Sequence, residues 1–186
     1  MCKTNFQLVT EFNNVLGQGV PSRPCVPSIE QQELRLSLIR EEAITELSKG
    51  FHDGDLVQIG DAIADGLVVV YGAANDCGLD ADRLLAEVHR SNMSKLCDTE
   101  EEAIYAVKRY AQGNFNGKEE PIECSYRPCT YPGMTDKFVV FNAKTGKTLK
   151  GPNYFEPDIA GLIKIMIEES KEIEFQDGNI IEGESA

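Results

Sequence analysis

Four carboxylates fall into two pairs, each pair four residues apart: Glu42 and Glu46 in IREEAITEL, Asp61 and Asp65 in IGDAIADGL. On a helix, residues at i and i+4 stand one turn apart on the same face. Two such helices side by side would bring the four carboxylates together. An all-oxygen donor set with no His or Cys nearby suits a hard divalent cation, Mg²⁺ or Mn²⁺, better than zinc. Ions held this way are usually shared with substrate phosphates, whose oxygens they bridge while lowering the pKa of an attacking water. The alternative reading of the same spacing is two solvated helix faces, with Arg35, Arg40 and Lys49 as counter-charges.

The elements that must position these groups run from Leu34 to Tyr71 and read as two helices joined by a short Gly-Asp loop. Ser28 opens the first, with Gln31 three residues on in a capping-box pattern. Leu36, Ile39, Ala43 and Leu47 form its apolar stripe, and Gly50 is the expected end. After Asp53-Gly54-Asp55, Asp55 with Gln58 caps a helix running to about Ala74. Leu56, Ile59, Ile63, Leu67 and Val70 make one stripe of it, and Val57, Ala64 and Val68 another. A helix apolar on two faces is expected to be buried. Asp61 and Asp65 project from the second face, where carboxylates are costly unless paired or metal-bound.

Around this pair the periodicity predicts a helix over 5–16 with Phe6, Val9, Phe12 and Leu16 inward. A helix after Gly78-Leu79-Asp80 carries Leu84, Leu85, Val88 and Met93 inward. A further helix is capped by Thr99 with Glu102 and ends at Gly113. Residues 114–134 read as irregular loop, Phe138–Phe141 with Lys147–Lys150 as a hairpin, and 158–169 as a last helix before an acidic, mobile tail. The expected fold is all-α, a bundle of four to five helices with a small irregular and β-hairpin C-terminal extension. The expected division is a catalytic helical core at 1–97, an extension at 98–171 and a tail at 172–186.

The chain has 186 residues and a formal net charge of −13, which disfavours a nucleic acid polymer as partner. No apolar run reads as long enough for a membrane span, the longest clean one being Leu67–Tyr71. The N-terminus, MCKTNFQLVTEF, lacks the apolar stretch of a secretory signal, so a cytoplasmic protein without membrane association is expected. Six cysteines form no CxxC and only two histidines are present. Reduced free thiols are therefore the expectation, and zinc is poorly supported.

The order EEAITEL, DGDL, DAIADGLVVVYGAA, GLD, AEVHRSNMSKL, resumed at KTGKTLKGPNYFEPDI, resembles the all-α nucleoside triphosphate pyrophosphohydrolases. The text is most similar to the MazG-like and phosphoribosyl-ATP pyrophosphohydrolase-like members of bacteria and phages. The resemblance implies a helical bundle that assembles as a homodimer or dimer of dimers. It implies cleavage of a nucleoside triphosphate to monophosphate and pyrophosphate, in the host cytoplasm if phage-encoded. It also implies a metal site, EExxE on one helix and ExxD on the next. Glu42 and Glu46 match the outer acids of the first motif, with Ala43 where the middle Glu stands; in the shifted frame Glu41 and Glu42 are the pair and Thr45 stands at the third acid. Asp65 matches the final Asp of the second, but Ala62 occupies its Glu position and Asp61 precedes it. The expected ligands are Glu42, Glu46, Asp61 and Asp65, with Glu41 or Glu42 orienting the water. Asn92, Lys95, Arg90 and Tyr71 are the substrate-binding residues the resemblance implies. Two rival readings remain: a catalytically weak nucleotide- or partner-binding relative, motivated by Ala43 and Ala62, and a phosphoribosyl-ATP pyrophosphohydrolase.

Overall fold

A computed structural model describes residues 3–181, with side chains described through Glu172. The fold is mainly helical with one small antiparallel sheet, as the patterning predicts. Its elements, in chain order, are α1 (Asn5–Val15), α2 (Ile29–Leu38), a π-helical segment π1 (Ile39–Glu46), α3 (Leu47–Asp53), α4 (Leu56–Asp76), α5 (Ala81–Met93), α6 (Glu100–Gln112), β1 (Cys124–Pro128), β2 (Phe138–Asn142) and α7 (Ile159–Ile181). Two compact units are formed among the described residues, 3–84 with 159–181, and 85–158. The division expected at 97/98 thus lies within the second unit, and α5 contributes residues to both units.

In the first unit α4 is the central element, and α1, α2, π1 and α3 all contact it. Asp55 starts it, its Oδ1 accepting the Val57 and Gln58 amides at 2.9 and 3.2 Å. By length and composition α4 is long and apolar enough to cross a membrane, which corrects the expectation that no segment is. It nonetheless carries Asp61, Asp65 and Asp76 and is the helix on which the others pack, the pattern of a bundle centre. Its buried face is Ala62, Gly66, Val69, Gly72, Asn75 and Asp76. Small residues on that face let neighbouring backbones come close. The two apolar stripes expected to be inward instead leave Leu56, Val57, Ile63, Leu67 and Val70 substantially exposed.

The helix predicted from Ser28 to Gly50 forms, but not as one regular helix. Ser28 Oγ accepts the Gln31 amide at 3.3 Å, while the Gln31 side chain goes to Asp76 instead of closing a capping box. Gly50 does not end the helix; it is buried within α3, where a β-carbon would stand 3.0 Å from Ile59 N and Cγ1. The chain reverses at Gly54, in the left-handed region at φ 66°. Arg35 reaches Asp76 across the pair, Nε to Oδ2 at 2.7 Å and Nη2 to Oδ1 at 3.0 Å. Gly72 makes room for that guanidinium, since a β-carbon there would sit 2.1 Å from Arg35 Nη1.

The second unit has its core at Cys97, Ala103, Ala106, Tyr110, Val140 and Leu149. Helix α6 starts as predicted, Thr99 Oγ1 accepting the Glu102 amide at 3.2 Å, and ends at Gly113 with φ 73°. Residues 124–128, expected to be loop, are a strand. β1 pairs antiparallel with β2 in the register Cys124↔Asn142 to Pro128↔Phe138. The predicted partner segment, 147–150, adds only a short third rung, with Leu149 N to Val140 O at 2.8 Å. The turn between them is held by Asn142 Oδ1, which accepts the Lys144 and Thr145 amides at 2.9 Å each.

Helix α7 runs past the predicted stop at Glu169, so residues 172–181 of the expected mobile tail belong to a helix. The rest of that tail lies outside the described residues.

Candidate active site

The first acidic pair lies on π1, a rare helical form in which each backbone bond spans five residues. Such segments are frequent at functional sites because the widened turn changes which side chains share a face. Here residues four and five apart stand close, so Glu41 joins Glu42 and Glu46. Thr45 Oγ1 donates to the Arg40 carbonyl at 2.9 Å, occupying an acceptor that the widened turn redirects.

Asp61 and Asp65 lie on the facing helix α4. Partial burial pushes the Glu42 carboxyl above its ordinary value, and the charges of Asp65, Glu41, Glu46 and Asp61 push it the same way, in that order. Each expected carboxylate is therefore electrostatically felt by Glu42. The reason for expecting it needs correcting, however: Asp61 and Asp65 are exposed rather than buried, while Glu42 and Glu46 are half-buried. Desolvation of Glu42 is the larger cause and like charge around it the lesser, and the aspartates themselves are not buried.

The proposed counter-charges do not neutralise this cluster. Arg35 is committed to Asp76. Lys49 comes only to 4.0 Å from Glu46, and Arg40 has no carboxylate partner among the described residues. Gln58 Nε2 donates to Glu46 Oε2 at 3.1 Å, an orienting contact that the spacing of the acids alone does not reveal.

Among the described residues, no three Asp, Glu, His or Cys side chains are drawn tightly enough together to grip an ion alone. Mg²⁺ is ordinarily held by one or two carboxylates and completed by waters and substrate phosphates, not by a closed protein cage. An open, all-oxygen, under-compensated set is chemically suited to that role.

The two alanines have a steric explanation. Gly66 follows Asp65 and packs on π1, and a β-carbon on it would stand 3.2 Å from Ala43 Cβ and 3.4 Å from Ala43 Cα. Ala43 thus sits where the backbones of π1 and α4 approach closely. Ala62 is also buried, 3% exposed. A carboxylate at either position would have to enter the helix contact, so the acids flank it.

The expected substrate-binding residues have separate surroundings. Tyr71 belongs to the first unit, its ring centroid 6.0 Å from that of Phe6, beside a shallow apolar cavity lined by Leu8, Val9, Ala64, Leu67 and Val68. Asn92, Lys95 and Arg90 belong to the second unit. Lys95 Nζ donates to Asn92 Oδ1 at 2.6 Å. Arg90 is engaged already, forked onto Glu87 at 2.8 and 3.0 Å with its guanidinium 4.4 Å over the Phe155 ring. His89 is exposed on α5.

Comparison with known proteins bears on the helical segment. Residues 9–92 match the family model for phosphoribosyl-ATP pyrophosphohydrolase. An uncharacterized protein of Acanthamoeba polyphaga mimivirus is 35% identical over 98 residues, which are 53% of this chain and 37% of that protein. The chain thus spans well under half of that relative's length. The family match begins within α1 and ends within α5, and so contains π1, α4 and all of the paired carboxylates. Residues 9–92 are accordingly a phosphoribosyl-ATP pyrophosphohydrolase family domain, within the MazG-like nucleoside triphosphate pyrophosphohydrolase superfamily.

Proposed function

We propose that this protein is a cytosolic, metal-dependent pyrophosphohydrolase that converts a ribo- or deoxyribonucleoside triphosphate to its monophosphate and pyrophosphate, so controlling a nucleotide pool. What supports the reading is the family match over residues 9–92 together with the placement of Glu41, Glu42 and Glu46 on π1 and of Asp61 and Asp65 on α4, two elements packed on one another. Like charges gathered on two facing helices, without matching cations, are unfavourable in the empty protein and become favourable once a divalent ion is shared with phosphate.

Glu42, Glu46, Asp61 and Asp65 would hold Mg²⁺ or Mn²⁺. When bound, the ion supplies charge neutralisation at the phosphate oxygens and a more acidic water. Glu41 or Glu42 would orient the attacking water and accept its proton. The water oxygen bonds to phosphorus as the bridging P–O bond breaks, and pyrophosphate leaves.

A homodimer or dimer of dimers is part of the proposal. Val15, Val26, Leu56 and Val57 are each 79–84% exposed within one chain, and Leu67, Val68 and Val70 add to the uncovered surface of α4. Apolar surface of this kind is ordinarily covered by a partner.

The family match itself favours a second reading, phosphoribosyl-ATP as substrate. Ala43 and Ala62 favour a third, binding without efficient turnover. One assay separates them: the eight common nucleoside triphosphates and phosphoribosyl-ATP, each with Mg²⁺ or Mn²⁺, scored for monophosphate and pyrophosphate. Turnover of common triphosphates supports the proposal. Turnover of phosphoribosyl-ATP alone supports the second reading, and binding without pyrophosphate release supports the third.

A further inference from the structure

Two cysteines far apart in the chain, Cys25 and Cys77, are joined through their backbones in the first unit. The Cys25 amide donates to the Cys77 carbonyl at 3.0 Å. Cys77 caps the C-terminal end of α4, where carbonyls lack a donor from their own helix, so the partner comes from the loop before α2. Standard backbone dimensions on either side of that bond keep the two Cα atoms within about 7 Å, the separation beyond which a disulfide requires backbone movement.

The loop is held over the helix end by two further features. Gly78 has φ 62°, and a β-carbon on it would stand 2.8 Å from the Arg23 carbonyl oxygen and 3.2 Å from that of Pro21. Residues 21–25 therefore pass directly against the turn that follows Cys77. Pro24 and Pro27 flank Cys25-Val26 and restrict Arg23 and Val26 to extended backbone. Little chain entropy remains to be lost in bringing the two thiols together.

Both are free thiols, Cys25 exposed and Cys77 half-buried. Burial pushes the Cys77 thiol above its ordinary value, and the charges of Asp76 and then Cys25 push it the same way. An oxidant in solution meets Cys25 first. The other described cysteines lie in the second unit with other neighbours. Cys97 is fully buried, its amide on the Phe138 carbonyl at 2.9 Å; Cys124 stands opposite Asn142 in the sheet; and the Cys129 amide donates to the Lys137 carbonyl at 2.7 Å.

We infer that Cys25 and Cys77 are a peroxide-sensitive thiol pair that closes a disulfide within the first unit. Cys25 Sγ attacks one oxygen of hydrogen peroxide; the O–O bond breaks, Cys25 becomes a sulfenic acid and water leaves. Cys77 Sγ then attacks that sulfur, the S–O bond breaks and a second water leaves. The two thiols give up two electrons and two protons, and one peroxide is reduced to two waters. A dithiol reverses the bond by exchange. Residues 26–76, enclosed by it, contain α2, π1, α3 and α4, and with them Glu41, Glu42, Glu46, Asp61 and Asp65. A cross-link of that reach restricts the unfolded chain far more than the folded one, so oxidation makes the helices that carry the paired acids harder to unfold. The inference does not depend on which reaction those acids serve.

The test is non-reducing peptide mapping of the full, folded chain after treatment with hydrogen peroxide, with the remaining thiols blocked by alkylation. A linked Cys25–Cys77 peptide pair is expected, formed within one chain and lost on adding dithiothreitol. The oxidised wild type should melt at least about 4 °C above the reduced protein. Cys25→Ser, a change at an exposed position, and Cys77→Ser should each lose that rise. In Cys77→Ser, dimedone should label Cys25 as the stalled sulfenic acid. Cys25 and Cys77 both still open to alkylation after peroxide, Cys25 linked to a different cysteine, or an equal rise in melting temperature in Cys25→Ser would each overturn the inference.

Discussion

Gly66 lies directly against Ala43, so close that a β-carbon on Gly66 would come within 3.2 Å of Ala43 Cβ. This contact sets the spacing between π1 and α4 and hence between Glu42 and its neighbour Asp65. Gly66→Val is predicted to push the helices apart. Overpacking of this kind typically costs about 1–3 kcal/mol, to be read as a lower urea midpoint. Pyrophosphate release should fall with it, because the carboxylates are moved off one another. A variant with wild-type stability and turnover would show that the approach is not what positions the acids.

Much of this arrangement is legible in the sequence. The i, i+4 spacing of Glu42/Glu46 and Asp61/Asp65 places each pair on one face, and the Asp55 and Thr99 caps locate helix starts that the hydrogen bonds reproduce. Other features are not legible because they depend on contacts distant in the chain. Glycine is usually a helix stop, yet Gly50, Gly66 and Gly72 are interior, each needed for close approach of Ile59, Ala43 or Arg35. The outward apolar face of α4 cannot be told from a buried one by periodicity alone. Residues 124–128 read as loop because five residues ending in Pro carry little strand signal, and their pairing with β2 lies outside any local window.

Charge crowding at Glu42 should make the site a liability in the metal-free protein. Glu42→Gln is predicted to raise the melting temperature in EDTA at neutral pH, while reducing both the stabilisation gained on adding Mn²⁺ and the release of pyrophosphate. The charges of Asp65, Glu41, Glu46 and Asp61 all oppose ionisation of Glu42, so removing that charge relieves them together. A melting temperature that falls in the metal-free variant would argue against the crowding.

The pair Arg35–Asp76 makes the opposite case. Both side chains are largely removed from water, 14% and 7% exposed, and the guanidinium rests in the space left by Gly72. Asp76→Asn strands a buried cation and should cost about 3–5 kcal/mol. The double variant Arg35→Met/Asp76→Asn should recover part of that loss. Urea unfolding of the single and double variants checks both, and additive losses would contradict the pairing.

Glu87 gives a pH signature in the second unit. Its hydrogen bonds from the Arg90 guanidinium and then from the Asp158 amide hold its carboxyl below the ordinary value of 4.5. A folded pKa below the unfolded one contributes stability that is present above the unfolded value and lost as pH falls through the folded value. Melting temperature below pH 4.5 should therefore fall more steeply in the wild type than in Glu87→Gln. Parallel curves would mean that the pair contributes nothing in solution.

The most direct measurement is pyrophosphate release by the wild type and by Asp65→Asn, with Mg²⁺ or Mn²⁺ and with EDTA, on the nucleoside triphosphate panel. Asp65 is exposed, so the variant should fold as the wild type does. The account predicts metal-dependent release by the wild type, abolished in EDTA and reduced by about 10- to 100-fold in the variant, the scale set by changes around metal centres. Unchanged turnover in Asp65→Asn, or wild-type turnover that survives EDTA, would contradict it.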